Sequence, residues 1–383
     1  MDNLGLPKMW AASSGLINRF AARMQPGDKF ARRSKAWTVV REFGGSRMDW
    51  FERLVGFREG KYQETKAKLK VDGREIRSLV NGKSYRVGEF ELVSLQTLRE
   101  RAKWKVGTSG RLKVTIATGD VRQMHRAPEY AGALFQVASQ FNALEMTGPD
   151  VTPEDGVTRY EDDRTQGPAC AIAAGAATIH RNYFVPVADG FGQTAKRQLN
   201  ALCALGETLS YALDKPVDSL WQMRNGYALC SQAGLEAISA YLDKLHRDDL
   251  DALRGKLSIG GHRDIEVTDA PAEHRLLVSQ AFCSALPVAY SKVPAPYWSR
   301  FASLVLEAAY EATMWSGVLN AKRGASSIVL LTLLGGGAFG NDQEWILGAM
   351  RRAFEMVSGF PIDVRIVSYG TPSPAVLAVA RDL

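Results

Sequence analysis

The chain has 383 residues, 46% of them hydrophobic and 23% charged, and its formal net charge is +7 with a sequence pI near 9.2. The length exceeds the usual size of one compact domain, and the composition is ordinary for a soluble globular protein. No stretch approaches the roughly 18 consecutive apolar residues of a membrane span, and the first residues lack a basic-then-apolar signal pattern, so we expect a cytoplasmic protein without membrane contact.

Cysteine and histidine spacing argues against a metal centre. The four cysteines lie far apart without CxxC spacing, and the five histidines form no HExxH pattern. We therefore expect reduced thiols, no disulfide framework and no metal, although an acid-rich loop could hold Mg²⁺ or Ca²⁺.

The positive charge is concentrated in the first ~115 residues, where lysines and arginines alternate with acids. No recognised nucleic-acid module accompanies them. A solvated basic surface, or one that faces an acidic partner, is favoured over a nucleic-acid site, so nucleic acid is an unlikely partner.

Residues 1–110 are predicted to form a small α+β extension. Its short strands, separated by the turn dipeptides Asp72-Gly73 and Asn81-Gly82, are predicted over 65–71, 75–79 and 84–92. A helix is predicted over 93–103.

Two strands follow, over 111–118 and 133–141. Strand ends in an α/β fold lie on the rim where ligands bind, so Asp120, Gln140 and Asn142 are predicted to stand at such a rim. Asp120 could accept a hydrogen bond from a base amino group, or it could cap the next turn.

A dense polar stretch separates the second strand from an Ala-rich helix that begins near Pro168, with Thr165 or Gln166 near the cap. Its carboxylates are Glu145, Asp150, Glu154, Asp155, Glu161, Asp162 and Asp163. Acids before a helix interact favourably with its dipole. Carboxylates that face an anomeric carbon can also stabilise an oxocarbenium-like transition state and position a water, and an acid-rich loop between strand and helix favours this chemistry.

From about residue 186 to 325 the pattern is largely helical, interrupted by a turn at 261–264 and a strand over 277–290. The stretch 328–341, IVLLTLLGGGAFGN, follows. Its apolar run predicts a central strand, and its glycines let backbone amides converge on an anion before a helix over 342–358, although they could merely turn a corner. A last strand is predicted over 362–369.

Strand and helix therefore alternate along the chain. This predicts an α/β fold, a three-layer α/β/α sandwich with a mixed central sheet over 111–383, with the helical insertion at about 186–325 and the extension before it.

Several motifs resemble those of macrodomains: Thr118-Gly119-Asp120, the strand ending Gln140-Phe141-Asn142, and the late strand followed by GGGAFGN. The loop with Phe339 is similar to that of poly(ADP-ribose) glycohydrolases, where it wraps a diphosphate. VASQFNALEM, YEDDRTQGPACA, SALPVAYS and LTLLGGGAFGN together most resemble divergent macrodomain hydrolases found among Legionella effectors, which remove ADP-ribose from ubiquitin.

The resemblance implies a role for each matching residue. Asp120 would bind the adenine amino group, and Gln140 and Asn142 would lie near the distal ribose. The residues implied to hold the phosphates are Gly335, Gly336, Gly337, Ala338, Phe339, Gly340 and Asn341. The residues implied to form the catalytic loop are Asp155, Asp162 and Asp163, with Thr165 and Gln166.

The triple-glycine-then-QEE signature of the glycohydrolases is absent. We therefore expect removal of a single ADP-ribose from a protein side chain rather than polymer cleavage. The resemblance implies ubiquitin as one candidate for the modified protein, with an arginine linkage. No cofactor is required, and ADP-ribose is the ligand and product. A non-catalytic ADP-ribose reader and a basic nucleic-acid-binding scaffold remain alternatives.

Overall fold

The computed structural model describes residues 48–103, 110–271 and 275–381. The helices in this part of the chain are α1 (Trp50–Val55), α2 (Tyr62–Ala67), α3 (Leu95–Lys103), α4 (Val121–Arg126), α5 (Gln166–Ala173), α6 (Gly175–Tyr183), α7 (Cys203–Leu213), α8 (Val217–Leu220), α9 (Gln232–Leu242), α10 (Arg247–Gly255), α11 (Ala295–Lys322), α12 (Gln343–Met356) and α13 (Pro374–Arg381). The strands are β1 (Leu69–Asp72), β2 (Glu75–Ser78), β3 (Ser84–Arg86), β4 (Glu89–Ser94), β5 (Lys113–Thr118), β6 (Leu134–Ala138), β7 (Pro186–Val187), β8 (Gly190–Phe191), β9 (Trp221–Arg224), β10 (Tyr227–Cys230), β11 (Ser258–Glu266), β12 (Leu277–Cys283), β13 (Ile328–Leu331) and β14 (Asp363–Ser368).

A mixed central sheet organises the described residues, with the strand order β4-β11-β12-β6-β13-β14-β5. The strands from β12 to β5 run parallel, whereas β11 is antiparallel to both of its neighbours. The carboxyl ends of the five parallel strands therefore meet at one edge of the sheet, where ligands bind in folds of this kind.

Helices cover both faces of this sheet. Successive side chains of a strand point to opposite faces. On β6, the ring of Phe135 stacks on His125 of α4 with 3.7 Å between ring centroids. The amide of the next residue, Gln136, donates a hydrogen bond of 3.0 Å to Thr313 of α11. The predicted three-layer α/β/α sandwich with a mixed sheet is confirmed.

Several local predictions are wrong. The strand predicted over 84–92 is divided into β3 and β4, which belong to different sheets, and the strand predicted over 277–290 ends at Cys283. Residues 261–264 lie inside β11 instead of forming a turn, because their turn-like sequence produces a bulge between His262 and Ile265, with φ of +55° at Asp264. The first residues of the strand predicted over 65–71 complete α2 instead, and β1 starts only at Leu69.

The predicted extension and the core share the central sheet. Strand β4 forms one edge of that sheet through its pairing with β11, while β1, β2 and β3 form a separate small sheet. The range predicted as largely helical holds the six strands from β7 to β12, of which the sequence predicted only β12, as part of the strand over 277–290. The domain boundaries themselves stay predictions. Among the described residues, no helix has the length and apolarity needed to cross a membrane.

Candidate active site at the carboxyl edge of the sheet

A cleft opens where β13 leaves the sheet. Strand β13 ends at Leu331, so beyond Phe135 the β6 edge that faces β13 has no neighbouring strand for its backbone hydrogen bonds. The side-chain amide of Gln166 makes these bonds instead: its Oε1 accepts a hydrogen bond of 2.8 Å from the Ala138 amide, and its Nε2 donates one of 2.8 Å to the Gln136 carbonyl. The start of α5 is thereby fixed against β6, opposite the loop that follows β13.

Gly167 brings α5 into backbone contact with β6. A Cβ at this position would lie 2.1 Å from the Ala138 carbonyl oxygen, so any side chain would push the helix off the strand. The first residues of α5, Gln166 to Pro168, line the cleft, and the amides of Gln166 and Gly167 have no partners within the helix.

The glycine loop forms the other wall. Gly335 and Gly340 have φ of +76° and +69°, which L side chains rarely adopt. The amide of Asn341 donates a hydrogen bond of 2.9 Å to the Gly335 carbonyl, and its side chain donates one of 2.8 Å to the Leu286 carbonyl. The loop is thus closed on itself, while Gly337 has open space where a side chain would stand.

A cavity of about 330 Å³ lies between these walls. The predicted site residues that line it are Gln140, Asp163, Thr165, Gln166, Gly335, Gly337, Ala338 and Phe339. The structure thus brings together residues from the end of β6, the acid-rich loop, the start of α5 and the glycine loop.

Other predicted site residues are not among those that line the cavity. Asn142 is fully buried: its Nδ2 donates to Gln198, and its Oδ1 accepts from the Leu144 amide. It therefore fixes the loop after β6 from behind. Asp155 accepts hydrogen bonds from the amide and hydroxyl of Thr152, and these bonds lower its pKa.

Asp162 also lies outside the cavity, on the exposed surface beside Asp163. Within the glycine loop, a Cβ at Gly336 would face Ile346 of α12 at 3.1 Å, and one at Gly340 would face Ala289 at 2.9 Å. Both glycines, like Asn341, shape the loop without lining the cavity.

Asp120 is exposed at the end of β5 and accepts a hydrogen bond of 2.7 Å from the Arg122 amide. The capping use considered for this residue is therefore realised. Strand β5 lies two strands from β13 in the sheet, which places Asp120 about 10 Å along the same edge from the glycine loop.

Asp163 is the predicted catalytic residue that lines the cavity. It follows the 3-10 helix Thr158–Asp162, it is partly exposed, and its Oδ1 accepts a hydrogen bond of 2.8 Å from the Thr165 amide. Burial raises the pKa of both Tyr227 and Tyr290, and the charge of Asp163 raises both further.

Three aromatic rings form a wall of the cavity beside Asp163. The ring centroids of Tyr227, Tyr290 and Phe339 lie 5.2 to 5.6 Å apart. The hydroxyl of Tyr227 donates a hydrogen bond of 2.7 Å to the Met146 carbonyl, which fixes the loop that follows β6. Electron-rich ring faces next to a carboxylate suit a ligand that develops positive charge.

Glu145 is a second carboxyl group among the lining residues, and it is not one of the predicted site residues. Its side chain is fully buried in an ion pair with Arg181, with 3.1 Å between Oε1 and Nη2. Burial raises the pKa of Glu145, and the guanidinium of Arg181 opposes that rise. Its place in the acid-rich stretch was a signal, but its burial was not visible in the sequence.

The arrangement places a glycine loop and the start of a helix on two sides of one cavity, with a carboxylate beside an aromatic wall. Within the described ranges, no three His, Cys, Asp or Glu side chains are placed to hold a metal ion together.

No protein-family model and no curated protein matches the chain. Among solved structures, it is similar to poly(ADP-ribose) glycohydrolase from Deinococcus radiodurans in complex with ADP-ribose, at 11% identity and a TM-score of 0.40, covering 77% of this chain and 94% of that one. It is also similar to the enzyme from Thermomonospora curvata, at 15% identity and a TM-score of 0.38, covering 83% and 94%. The Thermomonospora enzyme bound to the inhibitor ADP-HPD gives 14% identity and a TM-score of 0.37, with the same coverage. Likeness at this level establishes neither the family nor the activity of this chain.

Proposed function

We propose that the chain binds ADP-ribose and hydrolyses the bond between its distal ribose and a protein side chain. The observation that carries this proposal is that Asp163, the start of α5 and the loop containing Gly335 and Gly337 line one cavity. Amides and a helix N-terminus suit a diphosphate, and a carboxylate one sugar away suits the anomeric carbon.

In this arrangement the ligand lies along the carboxyl edge of the sheet. The diphosphate rests on the glycine loop and the start of α5, and the distal ribose points to Asp163. The adenosine half extends past β14 towards Asp120. Tyr369, 84% exposed directly after β14, offers a ring on that path.

Hydrolysis then follows from positioning and charge. As the bond from the anomeric carbon to the leaving nitrogen breaks, the carboxylate of Asp163 stabilises the positive charge that develops on the sugar. A water adds its hydroxyl to that carbon, and its proton reaches the leaving nitrogen by way of Asp163. Binding of the remote adenosine and diphosphate holds the carbon in place.

An arginine-linked substrate is part of the proposal. A guanidinium on the distal ribose would lie next to the carboxylate of Asp163 and the aromatic wall, both of which suit a cation. Ubiquitin as the modified protein rests on the resemblance of the sequence motifs alone, and ADP-ribosylated ubiquitin is therefore the first substrate to test.

The deciding experiment incubates the full chain with proteins that carry single ADP-ribose groups on arginine or on acidic residues, ubiquitin included, and measures released ADP-ribose. We expect release from the arginine-linked set, together with calorimetric binding of free ADP-ribose. Absence of binding would exclude the proposed site, and binding without release from any substrate would exclude hydrolysis.

A non-catalytic reader is the second candidate. The hydrogen bond from the Thr165 amide to Asp163 is what a purely structural acid before a helix would make. A nucleic-acid scaffold has less support, since Arg99 and Arg101 are paired with Glu311 and Glu91. Steeply salt-dependent binding of RNA or DNA would favour it.

A further inference from the structure

The 3-10 helix Thr158–Asp162, which ends directly before Asp163, is bound at its start by Glu59, a residue that does not line the cavity. Each carboxylate oxygen of Glu59 accepts a hydrogen bond of 2.9 Å from the Val157 amide, and Oε2 accepts one of 2.7 Å from the Thr158 amide. Thr158 starts the 3-10 helix Thr158–Asp162, whose first amides have no partners within the helix. Glu59 thus caps this helix from 98 residues away in the chain.

The fit around the Glu59 carboxylate is close. Gly156 has φ of +80°, and a Cβ there would lie 2.4 Å from Glu59 Oε2. The hydroxyl of Tyr183 on α6 donates a hydrogen bond of 2.8 Å to the other oxygen. The position and orientation of the Glu59 carboxylate are therefore fixed by Gly156 and by Tyr183.

Trp50 makes a second attachment to the same helix. Its indole Nε1 donates a hydrogen bond of 3.1 Å to the Thr158 carbonyl, and its amide donates one of 3.3 Å to a carboxylate oxygen of Glu161. In the middle of the helix, the side chain of Tyr160 is fully buried. The amide of Asp163 closes the far end through a 3.2 Å hydrogen bond to the Tyr160 carbonyl.

We propose that Glu59 is a positioning residue for Asp163, so that the segment before the first strand belongs to the hydrolytic apparatus. This inference rests on the proposed function. A 3-10 helix rises about 2 Å per residue, which places Glu59 about 10 Å from Asp163. Glu59 therefore acts on the reacting carbon only through the helix, and a displacement of Asp163 by about 1 Å lowers the rate about 100-fold.

The test compares Glu59→Ala with Glu59→Gln and with Glu64→Ala. Glu64 lies in the same segment, its side chain is largely exposed, and its Oε1 lies 4.0 Å from Nζ of Lys61. Its replacement therefore removes the same charge without changing a contact of the 3-10 helix Thr158–Asp162. We expect kcat of Glu59→Ala to fall on the order of tenfold to 100-fold, while the Kd of ADP-ribose stays within about threefold. Glu59→Gln keeps one acceptor oxygen, so its kcat should lie between those of Glu59→Ala and the wild type. Glu64→Ala should have the kcat and Kd of the wild type.

Amide hydrogen exchange supplies a readout that needs no activity. Residues 157–163 should exchange at least about tenfold faster in Glu59→Ala than in the wild type or Glu64→Ala, because two of their amides lose their acceptor. Unchanged exchange or unchanged kcat would overturn the inference, as would a loss of rate that merely parallels lost ADP-ribose affinity and global stability. If the wild type releases no ADP-ribose from any substrate, the proposed function fails, and the exchange comparison still decides whether Glu59 holds the helix.

Discussion

Glu145 and Arg181 form an ion pair with 3.1 Å between Oε1 and Nη2, and neither side chain is exposed to solvent. Removal of one partner from a buried pair costs about 3 to 5 kcal/mol, because the other charge stays buried without compensation. We expect Glu145→Gln to lower the free energy of unfolding by about 3 kcal/mol, measured by urea denaturation at pH 7.5.

Glu64→Gln is the matched control, since its side chain is 66% exposed and the change should stay within about 0.5 kcal/mol. A loss below about 1 kcal/mol in Glu145→Gln would contradict the ionised pair. It would indicate that the folded protein already holds Glu145 protonated, as its burial favours.

The glycine loop gives a second prediction, on binding. A Cβ at Gly337 meets open space beside the cavity. A Cβ at Gly348 also meets open space, but it lies on the exposed side of α12, and Gly348 does not line the cavity. Two like charges about 4 Å apart near a protein surface repel by about 4 kcal/mol. We therefore expect Gly337→Glu to weaken ADP-ribose binding at least about 100-fold, as measured by calorimetry.

Gly348→Glu adds the same charge away from the cavity and should leave the Kd within about twofold. Neither variant should unfold at a lower urea concentration than the wild type, because both side chains enter open space. Equal affinities for the two variants would mean that the diphosphate does not rest on this loop.

Buried histidines predict acid sensitivity. Burial lowers the pKa of His125 and of His180 to about 4, and it lowers the pKa of His262 well below its ordinary value. In the unfolded chain these groups take up protons near pH 6.5, whereas in the folded protein they do not, so stability falls as the pH drops from about 6.5 to about 4. Glu145, whose pKa is raised, binds a proton in the folded state over the upper part of this range. This proton offsets the effect of about one histidine on the pH dependence of stability.

We expect the free energy of unfolding, followed by urea denaturation between pH 7.5 and 5, to fall by up to about 2.7 kcal/mol per pH unit, the effect of two net protons. In His125→Asn the slope should be shallower by up to about 1.4 kcal/mol per pH unit. A stability that does not change between pH 7 and 5 would contradict the buried neutral state of these rings.

Local sequence was sufficient for the central strand, the glycine loop and the start of α5, since each depends on neighbours in the chain. Apolar continuity marked β13, and Pro168 marked the helix that places Thr165 and Gln166 at the cavity. The turn predicted around His262 is wrong, because these residues pair with β12 on one side and β4 on the other and form a bulged strand.

The remaining parts of the site depend on distant contacts. Which of the adjacent Asp162 and Asp163 faces the cavity is decided by the 3-10 helix, and that helix is held by Glu59. Tyr227 reaches the loop after β6 from 81 residues away in the chain, and no local pattern indicates that contact. Glu145 was visible only as one acid among several.

The adjacent aspartates Asp162 and Asp163, of which Asp163 lines the cavity, give a test of the chemistry. Asp163→Asn removes the carboxylate charge but keeps an oxygen that accepts from the Thr165 amide, so the start of α5 should stay intact. We expect kcat on an arginine-linked substrate to fall on the order of 100-fold or more, with the Kd of ADP-ribose within about threefold. Asp162→Asn makes the same change on the exposed surface and should retain at least about half of the wild-type rate. Equal losses in the two variants would point to a general effect of charge at the cavity mouth, and an unchanged rate in Asp163→Asn would assign the reacting carboxylate to another residue.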